Sequence, residues 1–168
     1  AILLTGIGIG FFVSLVASLL VKGVHNLSDF RLQLDSGVLG LSTFFDLLMP
    51  MFWLVTAALL LAGIRRFFGI TRWHGPADSI YAAHRLDNEI DVKAGVGSTL
   101  AAFISMGGGA PVGQYGPLVH FGATLSTLIS KLTKSKISKD VLIACGVAAA
   151  ISAGFNAPIA GIIFAHEA

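Results

Sequence analysis

The chain has 168 residues, 55% of them apolar and only 12% charged, with 11 Lys+Arg against 9 Asp+Glu and 20 glycines. Disorder is excluded, because it needs few apolar residues and many charges, and a single cysteine, Cys145, excludes a disulfide scaffold. A net charge of +2 supplies no basic field for nucleic acid.

Charge distribution settles the class. Ala1 to Val21 carries no ionisable side chain, and as a helix it would be about 30 Å long, the thickness of a bilayer core. It has no basic leader and no small-residue cleavage site before Lys22, so it reads as a spanning helix rather than a signal peptide. Gly6, Gly8 and Gly10 within it suggest close helix packing. Lys22 to Asp46 reads as a polar connector. A second helix is expected over about Phe44 to Phe68, with Pro50 in its first turns and Arg65, Arg66 and Arg72 at its end. The positive-inside rule puts Arg65–Arg72 in the cytoplasm and Lys22–Asp46 outside.

Trp73 to Lys93 holds Gly75–Pro76 and then a short amphipathic helix from Asp78 to about Leu86, too short to span. Ala94 to Ser130 has no formal charge, only His120. It is interrupted by Gly107-Gly108-Gly109-Ala110-Pro111-Val112-Gly113-Gln114-Tyr115-Gly116-Pro117 and resumes as a helix to about Leu132. Lys131, Lys134, Lys136 and Lys139 make a second cytoplasmic loop. A helix from about Lys139 to Ser152 follows, then a break at Gly154-Phe155-Asn156-Ala157-Pro158 and a last short helix. A soluble domain of this size cannot hide so many uncharged runs. The fold class is an all-α membrane protein, with residues 1–168 as a single multi-pass transmembrane domain.

Broken helices at membrane depth are tolerated only where they are buried in protein or line a watery cavity, so they point to a binding site. Pro117 fits the first turn of a helix. The amides of Gln114, Tyr115 and Gly116 would then point out of a helix N-terminus, which attracts anions without a cationic side chain. Neutral donors suit transport, because an anion held by Lys or Arg would leave slowly. Spacing alone leaves a second reading open, a helix break made only for packing. A nucleotide loop is excluded by the absence of Gly-Lys-[Ser/Thr]. No His/Cys/Asp/Glu grouping has metal-ligand spacing, and His120 reads as a packing hydrogen bond.

The run Gly113-Gln114-Tyr115-Gly116-Pro117-Leu118-Val119-His120-Phe121-Gly122 resembles the G-[K/R]-E-G-P-x-x-[H/Q]-x-G signature of the voltage-gated chloride channel (CLC) family. Ala153-Gly154-Phe155-Asn156-Ala157-Pro158-Ile159-Ala160-Gly161-Ile162-Ile163-Phe164 resembles the family's A-A-F-N-A-P-L-A-G-I-L-F segment. His74-Gly75-Pro76-Ala77-Asp78 is similar, more weakly, to G-[S/H]-G-x-P-E. The order and rough spacing agree, and the match covers the chain but only the first half of a family member.

The resemblance implies a half repeat of tilted and broken transmembrane helices. It implies that His74 and Gly75 line an inner anion site, where many members carry a serine, and that the Gly113, Gln114, Tyr115 and Gly116 segment lines the central and outer sites. Tyr115 stands at the gate position, where the family has a glutamate that competes with the anion and carries the proton in exchangers. A tyrosine ionises only near a pH of about 10, so it supplies no tethered negative charge at neutral pH. At the other end, Glu167 and Ala168 align with the paired glutamates of exchangers, so the inner proton position is neutral too. Glu167 reads as a helix-end charge.

The function implied is passive, selective chloride conduction, with no enzyme activity and no cofactor, chloride being the transported ligand. Two alternatives stand beside it, a proton-coupled chloride antiporter and a non-conducting half-length assembly partner. The implied partners are chloride, the lipid bilayer of a plasma or inner membrane, and a second copy in a homodimer that uses the Lys139–Phe164 region. A half repeat leaves its helix N-termini facing nothing, so a longer natural polypeptide with a complementary half is expected.

Overall fold

The computed structural model describes residues 2–38, 43–85, 89–113, 115–133 and 137–167, and side chains within 4–33, 48–85, 89–113, 115–132 and 137–167. The described residues form seven helices: α1 (Ile2–Val38), α2 (Thr43–Phe68), α3 (Pro76–His84), α4 (Val92–Gly107), α5 (Tyr115–Thr133), α6 (Lys139–Phe155) and α7 (Pro158–Glu167). They contain no strand. Two segments, Leu4–Gln33 and Leu48–Phe68, are long and apolar enough to cross a bilayer. Their outward side chains, among them Leu4, Phe11, Leu59 and Phe67, are widely exposed, as a lipid-facing surface requires.

The expected polar connector after Val21 is helical instead, and α1 runs on to Val38. Hydropathy marks where a chain becomes polar, not where its helix stops. Lys, Gln, Leu and Arg are good helix formers, and no proline interrupts Lys22 to Val38. Packing holds the extension in place. Phe103 of α4 lies over Gly23, and Leu27 lies over Gly107.

One apolar cluster joins Ile9, Val13 and Ala17 of α1 to Leu118 of α5 and to Leu142 and Ala150 of α6. The α1 residues recur every fourth position and so share one helix face. A second cluster packs Ala82 of α3 and Ile90 against Val119 and Ala123 of α5 and Ile143, Val147 and Ile151 of α6. Between α5 and α6 the backbones themselves meet, because a Cβ on Gly122 would overlap the carbonyl of Gly146, and one on Gly146 would overlap the carbonyl of Gly122. By contrast, the space beside Gly6, Gly8 and Gly10 holds no atom within 4 Å. The close packing expected of that triplet is absent among the described residues.

The remaining boundaries follow local chemistry. α3 starts at Pro76, two residues before the expected start, because proline fits the first helical position. Leu86, its expected end, lies outside the described residues. α6 continues through Gly154 to Phe155 and is stopped by Asn156 in the left-handed conformation (φ 52°), which asparagine tolerates better than most side chains.

Candidate functional site

The long glycine-rich run divides into two parts with different work. Gly107, Gly108 and Gly109 end α4 and serve packing. A Cβ on Gly107 would strike Leu27, one on Gly108 would strike Ala57, and one on Gly109 would strike the Arg31 guanidinium. Gly109 also has φ +91°, a conformation that favours glycine. The Gly109 and Ala110 amides return to the carbonyls of Met106 and Ser105, both at 3.0 Å. The packing reading is therefore right for this first part.

The second part opens α5. Its helix begins at Tyr115, with Pro117 in the first turn, so the Tyr115 and Gly116 amides have no acceptor within the helix. Gly116 faces α3 closely, and a Cβ there would sit 3.4 Å from Pro76 Cγ. The first turns of α3 and α5 therefore lie beside one another. Gly113 has open space beside it. Gln114 lies outside the described residues.

A cavity of about 250 Å³ lies at this meeting point, lined by Leu61, Trp73, His74, Ser98, Ala101, Ala102, Ser105, Val112 and Pro117. It brings together His74 and the start of α5, which the sequence separates by some forty positions. Ser98 and Ser105 are additions that motif reasoning missed. Their signal is periodic. With Ala101 and Ala102 they stand at i, i+3, i+4 and i+7 of α4, the pattern of one helix face.

The backbone amides of the first segment are already engaged. His74 N–H donates to Ser98 Oγ at 2.9 Å, and Gly75 N–H donates to Asp78 Oδ2 at 2.8 Å. Asp78, the third residue of α3, thus reaches back to the helix start, as in one half of a capping box. Its other oxygen pairs with Arg72. Burial pushes the Asp78 carboxyl up, but the Gly75 N–H and then the Arg72 guanidinium outweigh it and hold it below the ordinary carboxylate range. Asp78→Ala is expected to lower stability by about 1 kcal/mol, the cost of a lost cap; exposed Arg72 adds little. Because the folded value is depressed, the contribution is complete above the ordinary carboxylate range and disappears as pH falls through the lower folded value. Thermal unfolding of wild type and variant at pH 7 and in acid should show the two curves converging at low pH.

Behind the cavity, the His74 ring stacks on His120 of α5, with centroids 5.9 Å apart and planes at 14°. His120 is fully buried, and its Nδ1 lies 2.7 Å from Ser79 Oγ. This is the packing hydrogen bond expected of it. The Tyr115 ring stacks on Phe155, at 3.8 Å and 17°. The first residue of α5 therefore rests on the last residue of α6. No grouping of three His, Cys, Asp or Glu side chains that could hold a metal occurs among the described residues.

Membrane-length helices, two breaks and a cavity between helix starts, mostly apolar with His74, Ser98 and Ser105 on its wall, define an all-helical membrane protein. The family model for the voltage gated chloride channel matches residues 57–168. The chain belongs to that family. It is 31% identical over 120 residues to the putative chloride channel protein ClcB-like of Ralstonia nicotianae, covering 67% of this chain and 28% of that protein. It is 29% identical over 168 residues to the voltage-gated ClC-type chloride channel ClcB of Escherichia coli O81 (strain ED1a), covering 95% of this chain and 40% of that protein. A shorter match, 35% identical over 86 residues, is to chloride channel protein CLC-d of Arabidopsis thaliana, covering 43% of this chain and 11% of that protein. The chain thus spans well under half the length of these relatives.

Proposed function

We propose that this chain forms one half of a multi-pass protein that conducts chloride passively across a plasma or inner membrane. The anion is held by His74, in the space left open by Gly75, and by the α5 start from Gly113 through Gln114, Tyr115 and Gly116. The observation that carries the passive reading is Tyr115 itself. Where the family resemblance calls for a carboxylate, a phenol stands stacked on Phe155. A neutral ring neither mimics a bound anion nor delivers a proton to it. Chloride is the transported ligand, no cofactor is used, and the protein is not an enzyme.

A homodimer accompanies this reading. The α6 and α7 surface carries exposed Val141, Ile159, Ile162 and Ile163, and this is the region that the resemblance assigns to the subunit contact. Two experiments on the full-length protein test the proposal. In crystals soaked with bromide, anomalous density is expected beside His74 and the Tyr115–Gly116 amides; density only at surface lysines would refute the site. In liposomes, a chloride gradient should drive chloride flux without proton movement. Stoichiometric proton uptake would establish an antiporter instead, and no flux at all would favour a non-conducting assembly partner.

A further inference from the structure

The amides of His74 and Gly75 are both spoken for, so the first segment must offer an anion something other than its backbone. Two of the polar side-chain groups on the cavity wall belong to or sit against that segment. Ser98 Oγ accepts the His74 N–H with a lone pair, which leaves its own hydroxyl hydrogen to donate. The imidazole of His74 is the other.

The proton on that ring can be placed by elimination. His74 Nδ1 is sealed from solvent and has no hydrogen-bond partner. A buried N–H without an acceptor is rare in folded proteins, whereas an under-used acceptor is better tolerated. No acceptor lies within hydrogen-bond distance of Nδ1, and the Asp78 carboxylate turns to Gly75 and Arg72 instead. Nδ1 therefore carries the lone pair and Nε2 the hydrogen, and Nε2 is the nitrogen left for the cavity that His74 lines. The same reasoning fixes its neighbour. His120 Nε2 is also sealed and unpartnered, packed where a side chain on Gly95 would stand. Its hydrogen belongs on Nδ1, facing Ser79 Oγ. The parallel stack then holds the His74 ring at a fixed orientation.

We propose that the cavity receives its anion on two neutral side-chain donors, His74 Nε2–H and Ser98 Oγ–H, with the buried His120–Ser79 pair as the positioning element that fixes the His74 imidazole. This rests on the anion-binding reading above and adds to it a ligand, Ser98, and a tautomer.

The test uses the full-length protein with ring-15N-labelled histidine in nanodiscs, titrated with sodium chloride against sodium isethionate, the His74 and His120 signals being assigned from His74→Gln and His120→Gln. His74 is expected to show a protonated Nε2 and an unprotonated Nδ1, and chloride alone should shift the Nε2–H signal. His120 is expected as the opposite tautomer. In calorimetry, Ser98→Ala should weaken chloride binding about 3- to 10-fold, the range of one neutral hydrogen bond, and Ser98→Thr should restore it. In His120→Gln, the His74 signals should broaden into a mixture of tautomers. If wild type binds chloride but His74 carries its hydrogen on Nδ1, or its Nε2 signal ignores chloride, this inference is wrong while the anion site stands. If wild type binds no chloride, the anion-binding reading falls and takes this inference with it.

Discussion

In the proposed conduction pathway, replacing Tyr115 by glutamate is expected to give an anion flux that falls as pH rises. A carboxylate ionises with a reference value of about 4.3. Above that value the new side chain is a negative group beside the α5 start, where it competes with the anion for the same amides; below it the group is neutral and the competition ends. Flux at pH 7 should therefore drop at least about tenfold relative to pH 4, the consequence of roughly 1.4 kcal/mol of added competition. Tyr115→Phe keeps the stack on Phe155 and should leave the flat profile intact. Liposome flux at fixed chloride gradient, measured from pH 4 to 8, decides between them. A flat profile in the glutamate variant would mean that position 115 does not face the anion path.

The largest structural effect is expected at Gly146. Its missing side chain is what lets the α5 and α6 backbones approach, and any Cβ there meets the Gly122 carbonyl and Ser126. A backbone carbonyl cannot step aside as a flexible side chain can. Overpacking costs about 1–3 kcal/mol even where neighbours adjust, and Gly146→Leu should exceed that and abolish recovery of a monodisperse protein from detergent. Gly6→Leu is the matched control. Nothing lies within 4 Å of it, so the same substitution should be recovered normally. Equal loss in both would argue against the α5–α6 contact.

Much of this arrangement is readable in the amino-acid order, for reasons that are local. Gly75–Pro76 and Gly116–Pro117 mark helix starts because proline cannot donate and prefers the first turn. Those two starts are the ones that meet at the cavity. Uncharged runs of bilayer length announce the membrane class by themselves. What stayed hidden depended on partners distant in sequence. The run from Gly107 to Pro117 looks continuous, yet contacts from Leu27, Ala57 and Arg31 give its first three residues a packing task. The end of α1 lies beyond the hydropathy boundary because α4 supports a helix that hydropathy alone would stop. Ser98 and Ser105 are two small polar residues in an apolar helix, and only the folded chain puts them on one cavity wall with His74. Gln114, at the centre of the strongest motif, lies outside the described residues.

The Gly122–Gly146 contact also governs how position 115 can move. It locks α5 to α6 two turns from Tyr115 and Phe155, and Gly154, pressed against Leu118, repeats the restraint nearer the rings. The two helix ends that carry the stacked aromatics thus belong to one rigid piece. Unstacking them needs only rotation about side-chain bonds, which for exposed residues takes picoseconds to nanoseconds, whereas rocking of whole helices takes microseconds to milliseconds. With Tyr115 and Phe155 both partly open to their surroundings, the ring at position 115 can swing at the tempo of rotamers without waiting for the scaffold.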